Sequence, residues 1–198
     1  MQKFVLATNN KHKAEEIKAI FAGKFDILTL TDAGISVNVV EDGKTFEENA
    51  IKKASAVAKL TDLPVISDDS GLMVDFLGGE PGVDTAYYAG PNATDDENID
   101  KLLRELDGVT FDKRTAKFVC VIAVIVNGEA LTFRGECEGK ILERRDGENG
   151  FGYDPIFYHP QYDRSFANLP PEIKNVVSHR GQALKKMRAW ERQLTVNS

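Results

Sequence analysis

Three groups of residues in this chain have the chemistry to act together. The first is Ser67-Asp68-Asp69-Ser70-Gly71, where two adjacent acids, a hydroxyl and a glycine follow the apolar run Val65-Ile66. The run reads as a buried strand that ends at the acids. Two carboxylates ~4 Å apart repel by roughly 4 kcal/mol at an effective dielectric of about 20. A divalent cation or a shared proton is the usual relief. The same residues serve equally as a strand leaving the core into a polar Asp-Ser-Gly turn. Glu41, in the loop Glu41-Asp42-Gly43, is a further acid free to reach a strand end, although by itself it reads as an ordinary solvated carboxylate.

The second group is cationic. Lys11, His12 and Lys13 follow Thr8-Asn9-Asn10 at the start of one predicted helix, and His179 and Arg180 follow Ser178 at the start of another. The helix macrodipole disfavours cations there, so they make sense where an anion binds. Either cluster alone reads as a solvated basic turn; two in one chain are harder to set aside. The third group is Asn149-Gly150-Phe151-Gly152-Tyr153-Asp154-Pro155, which joins backbone freedom to exposed-looking aromatics. Phe151 between glycines offers a π-face on which a base can stack, and equally reads as a Gly-rich bend around a core aromatic. Phosphate, metal and base are the three parts of a nucleotide complexed with Mg²⁺, a cation that prefers one or two carboxylates plus phosphate oxygens. With no cysteine nucleophile and no histidine-rich set, attack by metal-activated or carboxylate-activated water is the economical chemistry.

The elements that must carry these groups are legible from periodicity. Phe4-Val5-Leu6-Ala7 predicts a first strand, and the start of the chain is too short and polar for a signal peptide. Ala14, Ile17, Ile20 and Phe21 share one face of a helix capped by Asn9 or Asn10. Asp26 to Leu30 predicts a second strand. Thr45 and Glu48 form a capping box for a helix reaching about Leu60, with Phe46, Ala50, Ala54, Val57 and Ala58 inward. Gly78-Gly79-Glu80-Pro81-Gly82 reads as a loop. Thr94 and Glu97 form a second capping box, for a helix that buries Ile99, Leu102, Leu103 and Leu106 and stops at Gly108; no chemistry is assigned to it. Thr115 to Val126 predicts a strand, Asn127-Gly128 a type I′ hairpin turn, and the return strand alternates, with Leu131, Phe133 and Cys137 on one face. The other face of that ribbon meets solvent or a partner. The last helix, capped by Ser178, turns Ala183, Leu184, Met187, Trp190 and Leu194 inward.

The totals narrow the classes. A chain of 198 residues, 42% hydrophobic and 28% charged, supports one sizeable core, and a single domain over 1–198 is expected. A formal net charge of −6 leaves no basic footprint for nucleic acid. No apolar run reaches transmembrane length, so no membrane is expected and the chain reads as cytoplasmic. In the hairpin register Cys120 opposes Gly135 and Cys137 lies diagonally ~7–8 Å away, beyond disulfide reach; two buried, reduced thiols are expected.

These residues also carry a family resemblance. Thr8-Asn9-Asn10-x-x-Lys13, Glu41-Asp42-Gly43-x-Thr45-Phe46-x-Glu48-Asn49-Ala50, Ser67-Asp68-Asp69-Ser70-Gly71-Leu72, Gly150-Phe151-Gly152-Tyr153-Asp154-Pro155 and Ser178-His179-Arg180-Gly181 resemble, in order, the motifs of the inosine triphosphate pyrophosphatase family, the house-cleaning dITP/XTP pyrophosphatases. The resemblance implies Mg²⁺-dependent hydrolysis of ITP, dITP and XTP to the monophosphate and pyrophosphate, and a homodimer. It implies an α/β fold with a mixed, elongated, twisted central sheet flanked by helices that form two lobes with a cleft between them. By the same resemblance Asp69 is the catalytic base, Glu41 and Asp69 hold the metal, and Asp68 supports them. Thr8, Asn9, Asn10 and Lys13 match the phosphate-side loop, and Ser70 a substrate contact. Phe151, Gly152, Tyr153 and Asp154 meet the base, and Lys174, His179 and Arg180 make the remaining nucleotide contacts. Tyr87 stands where the family usually has arginine, Asp84 where it has tyrosine, and Asn168 and Ile173 where glutamates are common.

Other readings remain open at this point. A septum-inhibition-type nucleotide pyrophosphatase shares the architecture with a different base preference. A haloacid-dehalogenase-type phosphatase also places acids after a strand, but needs an Asp-x-Asp arrangement that Asp68-Asp69-Ser70 does not supply. A nucleotide-sensing module would bind without turnover.

Overall fold

The computed structural model describes residues 2–196, with side chains through residue 192. It contains five α-helices and seven strands among those residues: β1 (Lys3–Ala7), α1 (Lys11–Phe21), β2 (Asp26–Thr29), α2 (Phe46–Ala58), β3 (Val65–Val74), α3 (Asp95–Glu105), β4 (Thr115–Val126), β5 (Glu129–Ile141), β6 (Phe157–His159), β7 (Arg164–Ser165), α4 (Pro171–Val177) and α5 (His179–Val196). The strands hydrogen-bond in the order β2-β1-β3-β4-β5-β6-β7. Parallel pairs join β1 to β2 (Phe4↔Ile27) and to β3 (Leu6↔Ile66), while β5–β6 (Ile141↔Phe157) and β6–β7 (Tyr158↔Ser165) are antiparallel. The mixed α/β class is borne out.

The chain forms two compact units. The first comprises residues up to Asp69, Cys120–Gly135 and the chain from His179; the second comprises Ser70–Val119 and Glu136–Ser178. In the first, parallel strands demand crossovers, and the helical stripes of α1 and α2 supply them. Phe4, Leu6, Ile66, Cys120, Ile122 and Val124 form one core with Ala14, Ile17 and Phe21 of α1 and Ala183, Leu184 and Met187 of α5. Trp190 closes its edge against Phe133, ring centroids 5.6 Å apart. Leu194, predicted inward, lies outside the described side chains. In the second unit, Leu72, Val74, Ile99, Leu102, Leu106, Ile141, Phe157 and Phe166 form a separate core. There Phe118 and Phe166 stack at 5.8 Å.

Local signals explain most boundaries. Asn10 caps α1, its side chain accepting from the Lys13 amide at 3.1 Å. Thr94 and Glu97 form the full capping box of α3. At Thr45 only half of the expected box forms. The Thr45 hydroxyl accepts from Glu48 N, but the Glu48 carboxylate reaches one residue further, to the Lys44 amide at 2.7 Å. The hairpin turn has positive φ at both Asn127 (52°) and Gly128 (80°), as type I′ requires. The return strand alternates as predicted, with Gly135, Cys137, Gly139 and Ile141 buried and Glu136 and Glu138 exposed. Both cysteines are free and buried.

Two further features differ from the sequence expectation. The strand through Val65-Ile66 does not end at the acids; β3 continues to Val74 with Asp68 and Asp69 inside it, 0% and 6% exposed. The strand survives because each carboxylate meets its own cations, as described below. A short helix, α4, occupies Pro171–Val177, where Pro171 pre-sets the backbone at the first helical turn. Seven residues are too few for apolar periodicity to register.

Candidate active site

Successive residues of a strand project to opposite faces, and this separates the two acids of β3. Ile66 belongs to the core shared with α1 and α5, and Asp68, two residues on, points the same way. Ser67 points the other way, its hydroxyl donating to the Ala50 carbonyl of α2 at 2.6 Å, and Asp69 follows it. The repulsion expected between neighbouring carboxylates is therefore relieved by geometry before any ion is added.

On the α1/α5 face, Lys13 Nζ lies 2.5 Å from Asp68 Oδ1, and Arg180 Nε donates to Asp68 Oδ2 at 3.1 Å. The Cys120 thiol also donates to Oδ2, at 3.0 Å, and Arg180 pairs through Nη1 with Glu16. Burial pushes the Asp68 carboxyl up, but Arg180 and Lys13 outweigh it and hold it well below the ordinary carboxylate range. Burial, then Asp68 beside it, drives the Cys120 thiol well above its usual value. The Arg180 side chain is 1% exposed, that of Lys13 16%. The cations at the two helix starts thus do meet an anion, and in this structure it is Asp68. Their charge is awkward on their own helices and needed one strand away.

On the α2 face, Lys53 Nζ donates to Asp69 Oδ1 at 2.8 Å and to Glu41 Oε2 at 2.6 Å. Burial raises Asp69 from 3.8 to about 6, against the pull of Lys53 and Lys13. Lys53 is itself raised, the two carboxylates outweighing burial. Glu41 and Asp69 therefore converge on one cationic position. This is an observation of fit for a metal: two carboxylates already share a cation of the chain's own. Among the described residues no group of three or more His, Cys, Asp or Glu gathers to cage an ion, so a cation held by these two would complete its shell with water and substrate oxygens.

The second unit holds the aromatic loop. Gly150 sits at φ +82°, and a Cβ there would strike the Asp154 side chain. The space is needed because the Phe151 amide donates to Asp154 Oδ2 at 3.0 Å. Lys174 Nζ contacts the same oxygen at 2.5 Å and stands 5.1 Å from the centroid of the Phe151 ring. Tyr153 is buried, 2% exposed, with its hydroxyl donating to the Thr85 carbonyl at 2.9 Å. That corrects the expectation of exposed aromatics: only Phe151 keeps a half-exposed ring.

Placed residue by residue, Lys13, Asp68 and Arg180 come together directly, and Glu41 and Asp69 through Lys53. Phe151, Gly152, Asp154 and Lys174 come together in the second unit. Thr8 supports the α1 start, its hydroxyl accepting from the Asn10 amide at 3.2 Å. Asn9 is exposed, Ser70 half-buried and His179 buried. Sequence reasoning missed Lys53, although a signal was present. Lys53 falls between Ala50 and Val57 in the inward stripe of α2, an apolar position where a lysine needs a buried partner. Glu16 was missed for a plainer reason, since a helical glutamate one turn after Lys13 looks solvated.

A mixed α/β protein with strand-borne carboxylates, cations delivered from three helices and an aromatic loop over a lysine is suited to chemistry on a metal-complexed polyanion. The pattern of the Ham1 family matches residues 4–190. The dITP/XTP pyrophosphatase of Clostridium perfringens is 47% identical over 196 residues, covering 95% of this chain and 96% of its own length. That of Geobacter sulfurreducens is 52% identical over 186 residues, covering 93% and 94%. The solved HAM1 protein of Coxiella burnetii matches with a TM-score of 0.87 at 42% identity, over 98% of this chain and all of that one. The chain belongs to the Ham1 family, and the resemblance read from its motifs is borne out.

Proposed function

We propose that this chain is a nucleoside triphosphate pyrophosphohydrolase that removes non-standard purine nucleotides, ITP, dITP and XTP, from the nucleotide pool. The observation that carries the reading is the α2 face of β3, where Asp69 and Glu41 share one cation and burial holds Asp69 at about 6. A carboxylate near that value is basic enough to accept a proton from water and is ionised at neutral pH. Asp69 takes the proton of the attacking water. The water oxygen bonds to phosphorus, the α–β anhydride bond breaks, and pyrophosphate leaves with the electron pair of the bridging oxygen. Mg²⁺ bound by Glu41 and Asp69 would supply charge neutralisation for the phosphate oxygens.

The other residues divide by unit. Lys13, partly exposed, offers its ammonium to the phosphates beside Thr8, Asn9 and Asn10, and Ser70 in the second unit supplies a substrate contact. Arg180 and His179 act from α5, Arg180 through Asp68, which it fixes. In the second unit Phe151 stacks the base while Gly152, Tyr153, Asp154 and Lys174 hold and orient that stack. The family match runs through both units, which supports reading residues 1–198 as a single domain. The same reading carries a homodimer and a cytoplasmic location; no described helix is long and apolar enough to cross a membrane.

The test is release of pyrophosphate from ITP, dITP, XTP, ATP and GTP by the purified protein with Mg²⁺. Turnover of ITP and XTP well above ATP supports the reading, with Asp69→Asn removing it. Absent pyrophosphate release, or equal rates on ATP, refutes it, and tight ITP binding without product would identify a sensing module instead.

A further inference from the structure

The first turn of α3 makes a contact beyond capping its own helix. Thr94 and Glu97 satisfy the helix start between them: the Thr94 hydroxyl accepts from Glu97 N at 3.2 Å, and Glu97 Oε2 accepts from Thr94 N at 2.8 Å. Asp95 is thereby left out of the capping arrangement. Its carboxylate reaches 57 positions along the chain and accepts the Gly152 amide at 2.7 Å. This is the short, charge-assisted kind of bond, stronger than a neutral one. Gly152 lies between Phe151 and Tyr153, at φ +58°. The two consecutive amides of the loop therefore both donate to carboxylates: Phe151 to Asp154 within the loop, Gly152 to Asp95 from outside it.

The helix that presents Asp95 is itself fastened. Arg145 Nη2 donates to the Asp96 carbonyl at 3.2 Å and pairs with Asp100 Oδ1 at 2.8 Å. The segment carrying Arg145 is tied in turn to the far side of the loop, Asp146 N donating to the Pro155 carbonyl at 2.8 Å. α3 and the loop thus share one mounting. A glycine-flanked residue has wide backbone freedom, and the Cα–Cβ direction of Phe151 follows the two peptides that flank it, one held by Asp154 and the other by Asp95.

We propose that Asp95 is a positioning residue for the base-stacking loop: by accepting the Gly152 amide it fixes the ring of Phe151 in a pre-set orientation and so contributes to affinity for the purine. This rests on the pyrophosphatase reading for its substrate, but not for its geometry. A pre-ordered loop loses less freedom when the nucleotide binds, so the effect falls on binding and leaves the chemical step alone.

Hydrogen–deuterium exchange over the peptide containing Gly150–Asp154, with no nucleotide present, tests the tether by itself. Exchange should quicken in Asp95→Ala and stay at the wild-type rate in Asp95→Asn, which keeps an acceptor. It should also stay there in Asp96→Asn, a neighbouring first-turn aspartate whose carboxylate meets Arg145 at 3.2 Å and not the loop, and whose asparagine keeps that acceptor. In steady-state assays Asp95→Ala should raise KM for ITP about 5- to 10-fold, the scale of one net hydrogen bond, with kcat within about twofold; Asp95→Asn should recover most of the loss. A purely structural role would lower thermal stability and kcat without a selective rise in KM. Unchanged exchange in Asp95→Ala, equal effects in Asp96→Asn, or no recovery in Asp95→Asn overturns the proposal. Should the wild-type protein not turn over ITP, the substrate reading fails and the exchange comparison alone decides the tether.

Discussion

Asp68 and Asp69 are adjacent, chemically identical and both buried, yet their removal should shift stability in opposite directions. Asp69→Asn and Asp68→Asn are the perturbations, each a neutral isostere of the protonated acid, with metal removed by EDTA. Burial lifts Asp69 from 3.8 to about 6, so its contribution favours folding fully below pH 3.8 and is lost as the pH rises through about 6. Moving a carboxyl over that interval corresponds to about 3 kcal/mol. At pH 8 the asparagine should therefore stabilise the metal-free protein by up to about 3 kcal/mol, and the gain should fade as the pH falls through 6 towards 4. For Asp68 the sign reverses. Arg180 and Lys13 overcome burial and lower it well below 3.8, so its contribution is present above 3.8 and is lost as the pH falls through the depressed value. Removing one member of a buried ion pair leaves Arg180 without that partner and costs about 3–5 kcal/mol. For a chain of this size that is about 6–20 °C in Tm. Urea unfolding at pH 8, 6 and 4 measures both. If the two variants move in the same direction at pH 8, or Asp69→Asn shows the same effect at pH 4 as at pH 8, the assignment of separate partners to the two faces of β3 is wrong.

Three further outcomes follow from the same contacts. Arg114, 4% exposed, donates to the carbonyls of Leu106 (2.8 Å), Val109 (2.9 Å) and Leu142 (3.0 Å); Arg114→Met should leave these acceptors unmet and lower stability by about 3 kcal/mol or more, read as a fall in Tm. Gly135 abuts the backbone of α5 at His179 and Ala183, so Gly135→Ala must displace that helix, cost about 1–3 kcal/mol and disturb Arg180, seen as loss of stability and rate together. Tyr153→Phe removes the bond to the Thr85 carbonyl and should lower Tm by the equivalent of about 1 kcal/mol.

Much of the fold was legible because its signals are local. The stripe of α1, the capping box of α3 and the alternation of β5 each specify one element from residues within a few positions of each other. β3 was misjudged for the same reason. Two aspartates in an apolar run look like an exit from the core until one knows what stands over them, and what stands over them comes from α1, α2 and α5. The helix α4 was missed because its packing, with Lys174 turned onto Asp154, is a long-range fact. Tyr153 was read as exposed because a glycine-rich setting says nothing about the depth at which a loop lies.

The cations at the helix starts show where such reading stops. Lys13 and Arg180 stand at the N-terminal turns of α1 and α5, and the macrodipole argument correctly requires an anion near each. It cannot say whether that anion arrives from solvent or is built in. Here Asp68 supplies it, at 2.5 Å from Lys13 and 3.1 Å from Arg180. The two lysines in this centre then differ from the arginine in a way that bears on function. Arg180 is sealed, paired with both Asp68 and Glu16 and 1% exposed, whereas Lys13 and Lys53 keep 16% and 12% of their side chains accessible. A flexible, compact ammonium can trade one oxygen for another at modest cost; a buried guanidinium held in two directions cannot. The resting centre is thus electrically closed, each acid answered by a cation of the chain. On the pyrophosphohydrolase proposal, Lys13 and Lys53 are the groups that exchange an internal carboxylate for an incoming phosphate, while Arg180 keeps Asp68 in place.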